Sequence, residues 1–297
     1  PYKKIKRSKI KVGFISDRLL RNSSSIFKDR SHIIKNLNKD IFDVSIFSNS
    51  NKSNIDKFYG DIEIIIDLNI QSLTKKINEM NFNILFYPEI GIDLFPFINS
   101  KYRLAPIQIT TWGHSETSGI NTIDYFISSK YFNTEDDQKL FSEKLILLDS
   151  LGMYYKPMNI LVNNISKEDI YKEFNIDSTK NIYNCLQTPK KTSSYDFLEL
   201  TKMILEKDKN ALILFINYNS IQKNYINEFN KDNLDKIKNF KFLSKIKYQK
   251  LMKISTILID PYPFGSLNTT LDAFTLNKIM VVFPSKKING NFSYGFY

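Results

Sequence analysis

The segment Ile257-Leu-Ile-Asp260-Pro-Tyr-Pro-Phe-Gly265-Ser-Leu-Asn268-Thr269-Thr270-Leu-Asp272 concentrates residues whose types and spacing can do chemistry. A short apolar run ends at Asp260, Pro261 and Pro263 stiffen the exit, and Gly265 permits close backbone approach. Asn268 is a favoured N-cap ahead of Thr269 and Thr270. The free N–H groups and positive dipole end of such a helix start hold a diphosphate, with two hydroxyls as added donors. Asp272, one turn on, is placed to accept from a ribose hydroxyl. An ordinary capped helix would carry the same residues.

A second segment, Asn181 to Lys191, opens a strand into a loop bearing the Gln187 amide and the Lys190 and Lys191 ammonium groups. A lysine beside a departing pyrophosphate neutralises developing charge, which a transferase without a metal must arrange from protein groups. In so lysine-rich a chain, a solvated lysine pair accounts for the same residues. The third segment, Ala105 to Gly119, holds the only tryptophan, Trp112, and one of the two histidines, His114, followed by Thr117, Ser118 and Gly119. A plain connection needs only Gly, Pro or Asn, so this density marks a loop that carries a site. The other histidine, His32, falls in a helical pattern and reads as a surface or packing residue.

The elements that must position these loops alternate short apolar runs with longer segments of helical period, the pattern of βαβ units and a parallel sheet. Strands are expected at 11–16, 42–47, 63–68, 83–87, 107–111 and 125–128, with helices around 25–38 and 73–80. Leu73, Ile77 and Met80 recur at helical spacing and should face the sheet. A second series has strands at 181–185, 211–217, 240–243, 257–260 and 279–283 and helices at 194–207, 220–230, 247–255 and 269–276. The fold class is α/β: an N-terminal Rossmann-like domain over 1–150, a linker over 151–180 and a second Rossmann-like domain over 181–297. The start at Pro1 and the short tail ending at Tyr297 lead us to expect a fragment at both ends.

Of the 297 residues 42% are hydrophobic, ample for two cores. The single cysteine, Cys185, forms no intrachain disulfide and no cysteine-based zinc site, so a reducing, cytoplasmic location is expected. The basic stretch Pro1 to Lys9 lacks the apolar run and cleavage site of a signal peptide. No stretch approaches ~18 uninterrupted apolar residues, so no membrane span is expected. The net charge of +11 comes from 42 basic residues of which five are arginine, scattered among abundant Asn and Ile. That is the composition of an AT-rich gene rather than of a nucleic-acid surface. The sequence has no Gly-x-Gly-x-x-Gly, P-loop or Gly-x-Ser-x-Gly run, and no Asp-x-Asp pair follows a strand. The acidic cluster Glu135-Asp136-Asp137 reads as the decoration of a helix start.

Taken together, Tyr87-Pro-Glu-Ile-Gly91, Arg103 to Gly119 with its Trp-Gly-His-x-x-Thr-Ser-Gly block, Ile123-Asp-Tyr-Phe126 and Asp260-Pro-Tyr-Pro-Phe-Gly265 onward resemble the catalytic region of the O-linked N-acetylglucosamine transferase family, in its bacterial SPINDLY-like branch. The resemblance implies a GT-B architecture, two Rossmann-like domains facing across a cleft, with the nucleotide held mainly by the second and no metal or other cofactor. It assigns Gln187 and Lys191, with Lys190 as the adjacent register, to the diphosphate. Asn268, Thr269 and Thr270 fall at the phosphate-binding helix start and Asp272 at the ribose. His114, Thr117, Ser118 and Gly119 match the loop of the first domain that lines the cleft. The implied activity is inverting transfer of a sugar, N-acetylglucosamine from UDP-GlcNAc, to a protein Ser or Thr. Related donors are UDP-glucose and GDP-fucose, and the implied partners are the nucleotide-sugar and a protein acceptor. Where the family carries a histidine after the first strand, this chain reads Arg21-Asn22-Ser23-Ser24, and a serine is no base near neutral pH. Glu89, at a strand end, is the remaining acid or base candidate. The departure also fits a nucleotide-sugar-binding scaffold without turnover. The sequence as given holds no tetratricopeptide repeat of the kind often found upstream in that family.

Overall fold

The structure is a computed structural model and describes residues 8–50, 55–241 and 243–297. Most of the basic opening, residues 1–7, and position 242 of an expected strand lie outside the described residues. The chain divides into two compact units, Pro1–Lys156 and Pro157–Tyr297.

In the first unit, strands β1 (Ile10–Ile15), β2 (Phe42–Ser48), β3 (Glu63–Ile66), β4 (Ile84–Tyr87), β5 (Ile107–Thr111), β6 (Tyr125–Ser129) and β7 (Lys144–Leu148) form one sheet in the order β3-β2-β1-β4-β5-β6-β7. Every pairing in it is parallel. Helices α1 (Ser25–Lys35), α2 (Asp56–Tyr59), α3 (Ile70–Glu79) and α4 (Leu94–Ser100) connect the strands. Because successive strand side chains point to opposite faces, β1 feeds two cores. Val12 and Phe14 join Ile26, Ile34 and Ile46 on one side, while Ile15 joins Leu73, Ile77 and Leu85 on the other. Leu73 and Ile77 are fully buried, as their helical spacing requires. Ser24 caps α1 by accepting from the Ile26 N–H.

Strand β7 went unread in the sequence. Its Lys-Leu-Ile-Leu-Leu run has no alternation and is rich in a good helix former, and it follows an acidic turn. That turn, Glu135–Leu140, is a 3-10 segment with a capping box between Thr134 and Asp137, the role expected of its carboxylates.

The second unit holds α5 (Lys167–Glu173), β8 (Asn181–Asn184), α6 (Pro189–Thr192), α7 (Tyr195–Lys207), β9 (Ala211–Ile216), α8 (Ser220–Phe229), β10 (Ile237–Phe240), α9 (Lys245–Ile254), β11 (Ile257–Ile259), α10 (Asn268–Thr275) and β12 (Met280–Val281). Its parallel sheet runs β10-β9-β8-β11-β12. Alternate residues of β9 again serve two cores, Leu212 and Leu214 on one face, Ile213 and Phe215 on the other. β10 begins three residues before its expected start, because Ile237 to Phe240 pair with Ile213 to Ile216 of β9. The stretch 151–180, read in the sequence as a linker, is built into the second unit from Pro157 onward. Ile170 and Ile176 enter a core with Leu251 and Met252. Lys253 Nζ donates to the carbonyls of Val162 and Ile165, both at 2.8 Å. Among the described residues no helix is long and apolar enough to cross a membrane.

Candidate functional site

In parallel sheets of this kind, ligands sit beyond the carboxyl ends of the strands at the switch point, where neighbouring connections leave in opposite directions. In the second unit that point lies between β8 and β11, and these strands open into the two loops singled out in the sequence.

Thr188 in extended conformation and Pro189 at the first helical position start the single turn α6. The turn sends Lys190 to solvent and Lys191 inward. Lys191 Nζ donates to the Gly265 carbonyl at 2.6 Å and lies 4.2 Å from the centre of the Phe264 ring. Burial pulls its pKa down to about 8, against the opposing pull of Asp260. Two loops far apart in sequence are thus joined across the switch point by one ammonium group.

Asp260 is the organiser of the second loop, a role the sequence did not disclose. It is buried, and its Oδ1 accepts from the Ser266 N–H at 2.7 Å and the Ser266 hydroxyl at 2.5 Å. Burial raises its pKa, opposed by the Ser266 and Ser293 hydrogen bonds and by Lys191. Gly265 has to be glycine here, since a Cβ would stand 2.6 Å from Asp260 Oδ2. The peptide Tyr262-Pro263 is cis.

The start of α10 differs from its expected form in two ways. Leu267, not Asn268, is the N-cap residue, and no side chain caps the helix. The Asp260 clamp on Ser266 draws the preceding turn inward and shifts the start by one residue. Thr270 is fully buried and its hydroxyl is spent on Ser266 (2.9 Å) and Ser293 (2.7 Å), so it offers no donor at the surface. Thr269 is half-buried and hydrogen bonds to Tyr248 of α9, while Asp272 lies near enough to the same phenol to affect it. Burial above all, and then Asp272, raise the Tyr248 pKa, and the Thr269 bond opposes them. Two buried amide atoms in these loops, Gln187 Nε2 and Asn268 Oδ1, have no hydrogen-bond partner. A buried donor and acceptor left open cost free energy unless something fills them, and a ligand would.

In the first unit the switch point falls between β1 and β4. Glu89, just beyond β4, is completely buried. The Ser16 hydroxyl beyond β1 donates to its Oε1 at 3.3 Å, and Oε2 has no partner. Burial, with Asp93 adding to it, pushes the carboxyl up to about 8, while Arg18 pulls the other way. Arg18 itself forks onto Asp93 at 2.8 and 2.9 Å.

His114 leaves β5 in the neighbouring loop, half-buried, its ring 3.7 Å from where a Cβ on Gly91 would stand. Gly91 has φ +101°, a conformation glycine adopts freely. Gly113 lets the two loops meet, since a Cβ there would lie 2.1 Å from the Pro88 carbonyl oxygen. Thr117 and Ser118 are bound to a residue that no sequence motif singled out. The Thr117 hydroxyl and the Ser118 N–H donate to buried Glu143 at 2.6 and 2.8 Å. Gly119 sits exposed at φ +64° and serves the turn. Trp112 is core, with the Arg30 guanidinium stacked 3.8 Å from its ring centre. His32 lies edge-on to Phe58 and beside Tyr154, a packing role. Ser23 is exposed in the turn before α1. Among the described residues no cluster of His, Cys, Asp and Glu has the arrangement of a metal site.

No protein-family model matches the chain. Two curated relatives do, each 25% identical over 234 residues: the UDP-glucose:protein N-beta-glucosyltransferases of Actinobacillus pleuropneumoniae serotypes 5b and 7. The match takes in 75% of this chain and 36% of each relative, so the chain spans about a third of their length. Among solved structures, a Thermobaculum terrenum O-GlcNAc transferase variant superposes with a TM-score of 0.81 at 15% identity, covering 97% of this chain and 55% of that one. A Rickettsia africae glycosyltransferase gives 0.58 at 15% identity over 92% of this chain and 78% of that one. The lipopolysaccharide glycosyltransferase WaaG gives 0.51 at 11% identity over 96% and 83%. The fold is the GT-B type expected from the sequence, two parallel-sheet Rossmann-like α/β domains, and it is the fold of these glycosyltransferase structures.

Proposed function

We propose that this chain carries the catalytic region of a glycosyltransferase that moves a sugar from a UDP-sugar to a protein. The observation that carries the reading is the hydrogen bond from Lys191 Nζ to the Gly265 carbonyl, which brings an ammonium group to the loop opening α10 at the switch point. The open valences of Gln187 and Asn268 in the same loops support it. So do the names of the curated relatives and of the structural neighbours.

In this reading Lys191 and the first-turn N–H groups of α10 neutralise the departing diphosphate. Asp272 accepts from the ribose, and Gln187 and Asn268 fix the nucleotide's orientation. Thr269 borders the diphosphate, whereas Thr270 holds the loop's shape. Lys190 is an outer electrostatic attractor only. The acceptor oxygen attacks the anomeric carbon as the bond to the diphosphate oxygen breaks, which inverts that centre, and no metal takes part. Glu89 is assigned the acceptor proton: mostly protonated near pH 7, it takes that proton in its ionised fraction, which a pKa of about 8 keeps available. His114, with the loop that Glu143 holds through Thr117 and Ser118, shapes the acceptor side.

For the donor, the family resemblance implies UDP-GlcNAc, while the motifs themselves do not separate it from UDP-glucose or GDP-fucose. The activity of the curated relatives favours a second reading, UDP-glucose. Thermal-shift titration of the full chain with UDP, UDP-glucose, UDP-GlcNAc and GDP-fucose, followed by transfer assays on candidate proteins, tests both readings. Stabilisation by UDP and one UDP-sugar with transfer is the expected result. UDP binding with no transfer from any donor would select the scaffold reading that Ser23 favours. No stabilisation by any uridine nucleotide would end the proposal.

A further inference from the structure

Around Gly265 and Ser266, three successive peptide groups are each held by hydrogen bonds. In the first, the Gly265 N–H donates to the Asn289 carbonyl at 2.9 Å. In the second, the Gly265 carbonyl accepts from Lys191 Nζ at 2.6 Å and the Ser266 N–H donates to Asp260 Oδ1 at 2.7 Å. In the third, the Ser266 carbonyl accepts from the Ser293 hydroxyl at 2.9 Å. Peptide groups are planar, so holding three in a row fixes φ and ψ of both residues between them, including a glycine that would otherwise range widely. The direction in which the Gly265 carbonyl meets the ammonium group is therefore set. Two of the restraints, from Asn289 and Ser293, come from the stretch that follows β12. We propose that Ser293 is a positioning residue for sugar transfer, holding the Gly265–Ser266 peptide in the orientation that seats the Lys191 ammonium group at the switch point.

Ser293 is completely buried, and its hydroxyl also lies 2.7 Å from that of Thr270 and 3.2 Å from that of Ser266. One side chain thus ties the end of the β11 loop to the first turn of α10. Its own place is fixed from both sides. The stretch after β12 makes two 3-10 turns, Ile288–Gly290 and Tyr294–Phe296, and buries Ile288 and Phe292. Beyond them the Tyr297 phenol accepts from the Met280 N–H at 3.0 Å and donates to the Met280 carbonyl at 2.9 Å. Strand β11 takes the carbonyls of Ile279 and Val281, so the phenol answers polar groups that an edge strand would otherwise leave open. The role in transfer rests on the reading of Lys191 given above; the seating of the ammonium group does not.

Ser293→Ala in the full chain tests this by two measurements, one of which needs no nucleotide. NMR titration of the lysine side chains should find Lys191 at about 8 in the native protein, with Asp260 and Cys185 the titratable groups that act on it. In the variant the loosened loop admits water to the amine, and the midpoint should rise by about one pH unit toward its ordinary value. Turnover should fall roughly 10- to 100-fold, the cost of a slightly misplaced group, with a much smaller loss of UDP affinity. Placed on Lys191→Met, the same substitution should cost little further turnover, since the group it positions is gone. Tyr297→Phe keeps its ring against Phe274 and removes only the edge bonds, so it should lower Tm and leave turnover unchanged. If Ser293→Ala does not fold, Ser293→Cys, of similar size but a weaker donor, carries the same comparison. An unmoved Lys191 midpoint, an equal loss of turnover on both backgrounds, or the same loss in Tyr297→Phe would overturn the proposal. Absence of transfer by the native protein would count against the proposed function, and the titration would still decide whether Ser293 seats the ammonium group.

Discussion

Each unit closes its switch point with a hydrogen bond between the loops after its first and fourth strands in chain order, but the two bonds are built from opposite charges. In the first unit the Ser16 hydroxyl reaches Glu89; in the second Lys191 reaches the Gly265 carbonyl. Burial drives both charged groups toward neutrality, Glu89 up to about 8 and Lys191 down to about 8. Equal values have opposite consequences near pH 7: the carboxyl keeps its proton and is neutral, and the amine keeps its proton and is positive. Only the second unit therefore offers an anion a cation at this point. The first offers an uncharged group with one oxygen, Oε2, still open.

Lys191→Met tests the second half of that contrast and should have the largest effect. Removing one preorganised charge partner of a leaving group costs on the order of 10²–10³ in turnover. UDP affinity should fall much less, because the helix start and the amides remain. Steady-state kinetics beside calorimetric UDP binding check this, and an unchanged rate would remove Lys191 from the chemistry. Stability should not suffer, since burial already disfavours the charge. The folded pKa lies below the ordinary 10.5, so the unfolded chain binds the extra proton between about 8 and 10.5 and native stability rises with pH across that window. The variant should lose this rise in a Tm series from pH 7 to 10.

The two bridges also share a device for bringing loops together, and it is unequal in a way that alanine can expose. A Cβ on Gly113 would meet the Pro88 backbone oxygen at 2.1 Å, beside Glu89, whereas a Cβ on Gly265 would meet the Asp260 carboxylate at 2.6 Å, beside Lys191. A backbone carbonyl in a β4 exit cannot turn aside; a carboxylate can, at the cost of its bonds to Ser266. Overpacking of this kind costs about 1–3 kcal/mol, or roughly 2–4 °C of Tm per kcal/mol in a domain of this size. Gly113→Ala should lie at or above the top of that range and Gly265→Ala within it. The reverse order in thermal melts would show that the Asp260 network is the more rigid of the two.

How far the sequence discloses these bridges depends on the range of the forces involved. Strand and helix placement follows from local periodicity, so the parallel architecture and the loops after β5, β8 and β11 could be read directly. Lys191 and Gly265 were legible as members of separate motifs. Their bond was not, since nothing local ties a loop after one strand to a loop more than seventy residues later. The hydroxyls were the hardest to read. Thr269 and Thr270 look alike in sequence, yet one faces Tyr248 and the other is consumed by Ser266 and by Ser293 near the chain end. Glu143 and Asp260 escaped notice for the same reason. A carboxylate that organises a loop is defined by donors that only the fold brings to it, and Glu143 precedes a leucine-rich strand whose pattern gave no warning of the edge of a sheet.

Glu89→Gln probes the first half of the contrast and should have the smallest effect on structure, because an amide oxygen can keep the bond from Ser16. The folded pKa of about 8 lies above the ordinary 4.5, so the native chain holds a proton that the unfolded chain gives up between those values. The native state binds more protons, and its stability falls as pH rises through the window. Glutamine never ionises and carries no such penalty. The variant should melt with the native protein near pH 4 and several degrees above it near pH 9, the gap opening between about pH 5 and 8. If Glu89 also takes the acceptor proton, turnover should fall at every pH while UDP binding holds. A gap in Tm without a loss of turnover would leave Glu89 as a buried acid that shapes the β4 exit, and the chemistry of the first unit would then have to rest on His114.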